Sequence, residues 1–265
     1  MSQEAIELFK IKGQMGVRAV RNLVRAQEIM TDLGSYNYVE IGSYLGRTLQ
    51  PHIDNPACKH ILSIDLRPDV TDDERGPLDM YKGISEDDML ALLAEHCTAR
   101  DLKKLDCVTD SSDCLKRRRS RRRYQLALID GEHTITAAFR DFLNLMQVMD
   151  EDAIVLFDDT PVILPAVMNV AAMLEAQGKT HHVAYCRGGI SVVGLGAMAA
   201  EVERRFDETL LLGEDVAQQR FRTRITQSSI SLGLKHAIRH EPGHRNMALR
   251  ILRRMGFRIE EPTEA

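Results

Sequence analysis

The chain has 265 residues, 44% of them apolar and 28% charged, with a formal net charge of −4 at pH 7. That length favours one substantial core with an appendage over two equal domains, and the mild acidity excludes a polycation that coats nucleic acid or membrane over its whole surface. No apolar run reaches the roughly 18 residues that a spanning helix needs, so no membrane partner is expected. The opening stretch, Met1 to Gln14, is charged throughout and lacks an apolar centre, so a secretory signal is not expected there. The five cysteines, Cys58, Cys97, Cys107, Cys114 and Cys186, are odd in number and form no CxxC pair. Neither a disulfide framework nor a zinc knuckle follows from that spacing, and a cytoplasmic, reducing compartment is the default expectation.

In chain order, residues 1–35 read as an N-terminal helical segment, with Val17, Val20, Leu23, Val24 and Met30 at helical spacing and Gly34 closing the run. Short apolar strands follow at Tyr38–Ile41, Ile61–Ile64, Leu105–Val108, Leu126–Ile129 and Ile154–Phe157, separated by longer connections. His182–Cys186 and Ser191–Gly194 flank Arg187-Gly188-Gly189, a tight hairpin signal. Five strands joined by crossovers and then a hairpin predict an α/β fold: a doubly wound, Rossmann-like, seven-stranded sheet whose last strand is antiparallel. Residues 197–212 read as helix. Residues 217–258 carry ten Lys/Arg against one acid, Glu241, and residues 200–265 are expected to form a basic C-terminal helical appendage.

The five strand ends carry the chemistry. In open α/β sheets the ligand crevice lies beyond the carboxyl ends of the strands, and each of the five ends here meets a carboxylate, a glycine or a small hydroxyl residue. Tyr38 to Thr48 reads as strand, glycine turn and helix start, with Gly42 and Gly46 four apart instead of a full GxGxxG. Glu40 before that turn suits a cationic ligand such as a sulfonium or an amino group. Asp65 lies 23 residues beyond Gly42, where an acid grips a ribose diol, or where one merely caps the next segment. Asp130 and His133 follow the fourth strand, and Asp158 and Asp159 follow the fifth. If those strands are neighbours, three carboxylates converge, and an all-oxygen set favours a hard cation such as Mg²⁺. His133 at the rim could then take a hydroxyl proton near neutral pH. Taken singly, each of these acids has a bland reading as a helix cap or surface residue.

These residues resemble the class I S-adenosylmethionine-dependent methyltransferases, most closely the branch of catechol O-methyltransferase-like enzymes and metal-dependent macrolide sugar O-methyltransferases. The resemblance spans about residues 36–196, within an expected domain of 36–199, and is carried by Glu40 to Thr48, Ser63-Ile64-Asp65, Thr109-Asp110-Ser111, Asp130 to His133 followed by Ala137 to Asp141, and Asp158-Asp159. It implies contacts to S-adenosyl-L-methionine from Glu40, Gly42, Ser43, Gly46, Asp65, Ser111 and Asp130. It also implies Mg²⁺ on Asp130, Asp158 and Asp159, and catalysis by His133 with Asp130. The sequence departs from the family at Met149 to Asp152, where a Pro-Gly-Gly turn is usual, and at Thr109, where glycine is usual.

The run Lys116 to Arg123 holds seven cations in eight residues. It precedes the fourth strand, and so is expected at the sheet edge opposite the site, as a solvated loop or a phosphate-binding patch. The expected partner is therefore a small-molecule hydroxyl acceptor, either a sugar of a glycosylated metabolite or a catechol-like ring. Three other readings stand beside it: a nucleic-acid methyltransferase, a non-catalytic cofactor-binding interaction protein, and a hydroxylase. The scarcity of aromatic residues argues against a base-stacking platform, and no 2-His-1-carboxylate iron site can be assembled from the spacings. The terminal segments suggest a homo-oligomer.

Overall fold

The structure, a computed structural model, describes residues 9–76, 84–117 and 122–206. Helix α1 (Val17–Leu33) buries Val20, Leu23, Val24, Ile29 and Met30 on one face, and Gly34 ends it with its N–H on Thr31 O. The helix expected over residues 1–35 does not include residues 9–16, which run as non-helical chain; residues 1–8 lie outside the described residues. Glycine at 13 and 16 disfavours helix, and a Cβ on Gly13 would stand 2.5 Å from the Arg47 side chain. The arm therefore packs as a strap and not as a helical turn.

The strands are β1 (Tyr36–Ile41), β2 (Cys58–Ile64), β3 (Leu105–Val108), β4 (Tyr124–Ile129), β5 (Met149–Phe157), β6 (His181–Tyr185) and β7 (Ser191–Leu195). They form one seven-stranded sheet in the order β3-β2-β1-β4-β5-β7-β6. β1 to β5 are parallel, and β7 inserts antiparallel between β5 and β6. This is the doubly wound sheet with an antiparallel last strand that the pattern predicts. The connecting helices are α2 (Gln50–Asp54), α3 (Glu86–His96), α4 (Cys114–Arg117), α5 (Ile135–Leu145) and α6 (Thr160–Ala176), with a 3₁₀ turn at Asp101–Lys104.

Both faces of the parallel strands are covered, so they read as continuous apolar runs instead of alternating ones. Leu126, Leu128, Ile154 and Leu156 pack with α1 on one face. Ala127, Ile129, Val155 and Phe157 pack with Phe142 of α5 and Val167 of α6 on the other. Helix α7 (Met198–Phe206) follows β7, and its Val202 and Phe206 are wholly buried in the first of these cores. The packed unit thus continues past the expected boundary at residue 199 to at least residue 206. The helix expected to residue 212 is followed as far as Phe206, and the basic segment 217–258 lies outside the described residues. Among the described residues no helix is long and apolar enough to cross a membrane.

Candidate active site

The strand order reverses between β1 and β4, and that reversal opens a crevice beyond their carboxyl ends. Main-chain pairing continues one residue past each strand: Gly42 N donates to Ile64 O at 2.8 Å, Asp130 N to Ile41 O at 2.8 Å, and Asp158 N to Ile129 O at 3.0 Å. Asp130 and Asp158 are therefore held side by side, as the sequence pattern requires. Gly42 has φ +86°, and a Cβ there would lie 2.1 Å from Asp130 O. Only glycine lets the first turn close against the β4 end.

Two cavities lie along this edge. The first, about 320 Å³, is walled by Gly42, Ser43, Thr48, Asp130, His133, Asp158 and Asp159, together with Gln14 and Met15 of the N-terminal strap. The second, about 240 Å³, is walled by Asp65, Asp110, Ser111, Glu132 and Asp141, with Leu66 and Val70 at its rim. Gly42, Thr71 and Gly131 belong to both walls.

Among the residues expected to hold a cofactor, Gly42, Ser43, Asp65, Ser111 and Asp130 line these cavities. Glu40 and Gly46 do not. Glu40 is wholly buried beneath the turn, accepting from Tyr38 Oη at 2.5 Å and Thr48 Oγ1 at 2.8 Å. Burial drives its carboxyl up to about 8 against these bonds and one to Ser43, so it reaches the cavity through Thr48 and Ser43. Gly46 faces α3, where a Cβ would press on Leu93 and Met89 at 3.0 Å. Asp65 is also more occupied than its spacing suggests. Its Oδ2 accepts from Ser43 N at 2.9 Å and Tyr44 N at 2.8 Å, and its Oδ1 from Arg67 N at 3.1 Å, so it pins the glycine turn as well as facing the second cavity.

The acidic cluster holds more groups than the sequence pattern picks out. His133 Nε2 is 3.5 Å from Asp130 Oδ1, while its Nδ1 is 3.1 Å from both Asp73 Oδ2 and Asp159 Oδ2. Ligand atoms of Asp73, His133 and Asp159 lie within 4.8 Å of one another. Asp73, whose side chain is wholly buried, comes from the loop after β2, which bridges to His133 and donates Glu74 N to His133 O at 3.1 Å. Arg75 from the same loop lies 2.6 Å from Asp73 Oδ2 and 3.0 Å from Asp159 Oδ2. No periodicity marks Asp73 or Arg75; the acid-rich stretch Thr71 to Glu74 was the one available signal.

The electrostatics follow from this crowding. Burial raises the Asp130 carboxyl, although the His133 hydrogen bond pulls it down. Burial and the neighbouring Asp130 raise Asp158 well above the carboxylate range. Arg75 holds Asp73 down at about 2. Burial acts to lower His133, but the hydrogen bond and charge of Asp130, with Asp159 and Asp73, outweigh it and hold the imidazole up at about 9. The surrounding acids thus favour the protonated imidazole, and among the described residues His133 and Arg75 are the positively charged partners of the cluster.

The ends of the basic run lie in different places. Arg117 pairs with Asp110 of the second cavity at 2.5 Å, and Lys116 with Asp113 at 2.6 Å. Arg123, next to the start of β4, donates to Gln147 O at the opposite edge, where the whole run was expected. Residues 118–121 lie outside the described residues.

Residues 39–160 match the family model described as a methyltransferase domain. No curated protein matches the chain. Among solved structures, similar chains include the O-methyltransferase TomG from Streptomyces achromogenes, involved in tomaymycin synthesis and solved in complex with SAM; it is 13% identical, with 73% of this chain and 87% of that one covered and a TM-score of 0.48. Another is an O-methyltransferase from Bacillus cereus in complex with SAH, 12% identical, with 72% and 86% covered and a TM-score of 0.47.

Proposed function

We propose that this chain, whose residues 39–160 match a methyltransferase-domain model, is an S-adenosylmethionine-dependent O-methyltransferase acting on a hydroxyl of a small molecule with Mg²⁺ at its acidic cluster. The observation that carries this reading is one cavity wall holding the glycine turn together with Asp130, His133, Asp158 and Asp159. A purely binding module has no need of that conjunction.

The residues fit both groups. Two adjoining cavities, one acid-lined and one with an apolar rim, suit an elongated ligand with an amino-acid half and a flat-base half. Asp130, Asp158 and Asp159 line the same cavity and offer carboxylate oxygens, the donors a hard divalent cation takes, although the ligand atoms found within 4.8 Å of one another are those of Asp73, His133 and Asp159. Asp130 and Asp158, both raised by burial, are short of positive charge, and Arg75 already stands on Asp159 as a compensating cation. S-Adenosylmethionine supplies an electrophilic methyl group on a sulfonium, and Mg²⁺ lowers the pKa of a bound hydroxyl.

The chain's own residues do the remainder. Ser43 and Asp65 hold the glycine turn that shapes the cofactor floor. Asp130, Asp158 and Asp159 gather on the wall of one cavity, where they would hold the cation, and the cation would in turn bind the acceptor's oxygens. His133, whose Nε2 stands beside Asp130 on the cavity wall, would receive the acceptor's hydroxyl proton as general base, with the neighbouring acids as the groups that would hold the cation. Positioning the two reactants in a closed crevice contributes much of the rate. A vicinal diol, as in a sugar or a catechol-like ring, would present two oxygens to the cluster. The small-molecule reading gains support from Lys116 and Arg117, whose charges are already paired with Asp113 and Asp110.

Calorimetric titration with S-adenosylmethionine tests the reading, with Mg²⁺ or EDTA present. Binding should weaken at least about tenfold in Asp65→Ala, which frees the turn. Mg²⁺ binding and methyl transfer to a diol acceptor should both disappear in Asp158→Ala. Absence of cofactor binding in either buffer would sink the enzyme reading.

A further inference from the structure

We propose that the hydroxyl of Thr71 is a cofactor-binding group, hydrogen-bonding the ribose of S-adenosylmethionine where the two cavities meet; the proposal rests on the methyltransferase reading. Thr71 is 7% exposed, and its Oγ1 is buried with no hydrogen-bond partner. A buried hydroxyl left unpaired costs free energy that a valine of the same shape would not. Such a group persists where an incoming ligand completes its bond.

Its place in the fold says which ligand atom that is. The loop after β2 is pinned at both ends. At the start, Arg67 takes φ +52° and donates to Tyr44 O at 2.8 Å, and its guanidinium lies 3.1 Å from Met89 Sδ. At the end, Glu74 N donates to His133 O at 3.1 Å, and Glu74 Oε1 accepts from Ile135 N at 3.0 Å. Thr71 lies between these anchors and is held, not swept, against the crevice. It is one of three residues common to both cavity walls, and the other two, Gly42 and Gly131, have no side chain.

A ligand that runs through both cavities must pass Thr71 at its midpoint. In S-adenosylmethionine the midpoint between the amino-acid half and the adenine is the ribose, whose hydroxyls both donate and accept. Leu66 and Val70, exposed at 57% and 52% on the rim of the second cavity, suit the flat base beyond it. The acid expected to grip the ribose, Asp65, already spends one oxygen on two backbone N–H groups. A second polar partner for the sugar is therefore called for, and Thr71, which walls both cavities and whose hydroxyl is unpaired, would supply it once the ligand draws that hydroxyl into the crevice.

The test uses the full chain, with S-adenosylhomocysteine, 5′-methylthioadenosine and free methionine as calorimetric probes. Thr71→Val should weaken S-adenosylhomocysteine by about tenfold, the scale of one lost hydrogen bond. It should weaken 5′-methylthioadenosine by a similar factor and leave methionine unchanged. Thr71→Ser should bind within about threefold of the natural chain, and ligand-free Thr71→Val should melt no lower than it. Unchanged S-adenosylhomocysteine affinity in Thr71→Val overturns the proposal. A lowered melting temperature also overturns it, by revealing a partner for the hydroxyl inside the free protein. If the natural chain binds none of the three probes, the methyltransferase reading fails first, which is a distinguishable result.

Discussion

Gly42 shows how narrowly single residues constrain this site. Its φ of +86° and its approach to Asp130 O leave no room for a side chain, so Gly42→Ala must move either the β1 turn or the β4 end. We expect a loss of more than about 2 kcal/mol of stability together with loss of cofactor binding, measured by urea denaturation and calorimetry. Preserved binding in a stable Gly42→Ala would mean the turn is softer than its geometry indicates. Gly46 looks equivalent in sequence but answers to a different neighbour, the α3 side chains Leu93 and Met89. Glu40 makes a similar point: its carboxyl group is spent on Tyr38, Thr48 and Ser43, so it supports the floor of the cavity from beneath.

Among the elements, the loop after β2 does the most that no pattern foretold. It brings Asp73 and Arg75 onto the acids contributed by β4 and β5. Arg75 sits on Asp73 and Asp159 and thereby competes with any cation for the cluster. Arg75→Ala should therefore raise the affinity for Mn²⁺ or Mg²⁺ by up to about tenfold, a limit set by the guanidinium's 49% exposure and its screening by water. The same variant should melt lower when metal-free, because Asp73 loses the cation that holds it ionised. Unchanged metal affinity would show that the guanidinium and the metal do not share a site.

For the molecule as a whole, stability should depend on pH through a group remote from the site. His52 is 4% exposed, stacked on Tyr38 at 3.7 Å, with its Nδ1 2.8 Å from Tyr36 Oη. Burial, with Lys104 adding to it, lowers its pKa from 6.5 to about 3. The folded chain thus refuses a proton that the unfolded chain accepts below its own pKa, so His52's contribution is intact above 6.5 and is lost as pH falls from 6.5 toward 3. The limiting slope is about 1.4 kcal/mol per pH unit. Denaturant curves at pH 7 and pH 5 should show a steeper loss in the natural chain than in His52→Gln, which has nothing to titrate there. Parallel losses in the two would contradict it. His133 has the opposite sign: held up at about 9, its contribution is complete below 6.5 and is lost as pH rises through 9.

Strand runs, their order of appearance and the acid or glycine after each were legible in the linear chain, because alternate residues of a parallel strand face two cores and leave a continuous apolar signature. Leu105–Val108 coincides with β3 residue for residue, and Asp130 and Asp158 converge as adjacent strand ends must. The strap at residues 9–16 departs from the expected helix because the apolar spacing of α1 does not extend across Gly13 and Gly16. What only the tertiary structure decided is which residues meet from distant loops. Asp73, Arg75 and Thr71 belong to no periodic element, and nothing local gives them a direction. Their position is set by loop anchors on Tyr44, His133 and Ile135, contacts that exist only once β1, β2 and β4 lie side by side. The charge state of His133 follows the same logic, since it depends on carboxylates brought within reach by two strand ends and by the loop after β2.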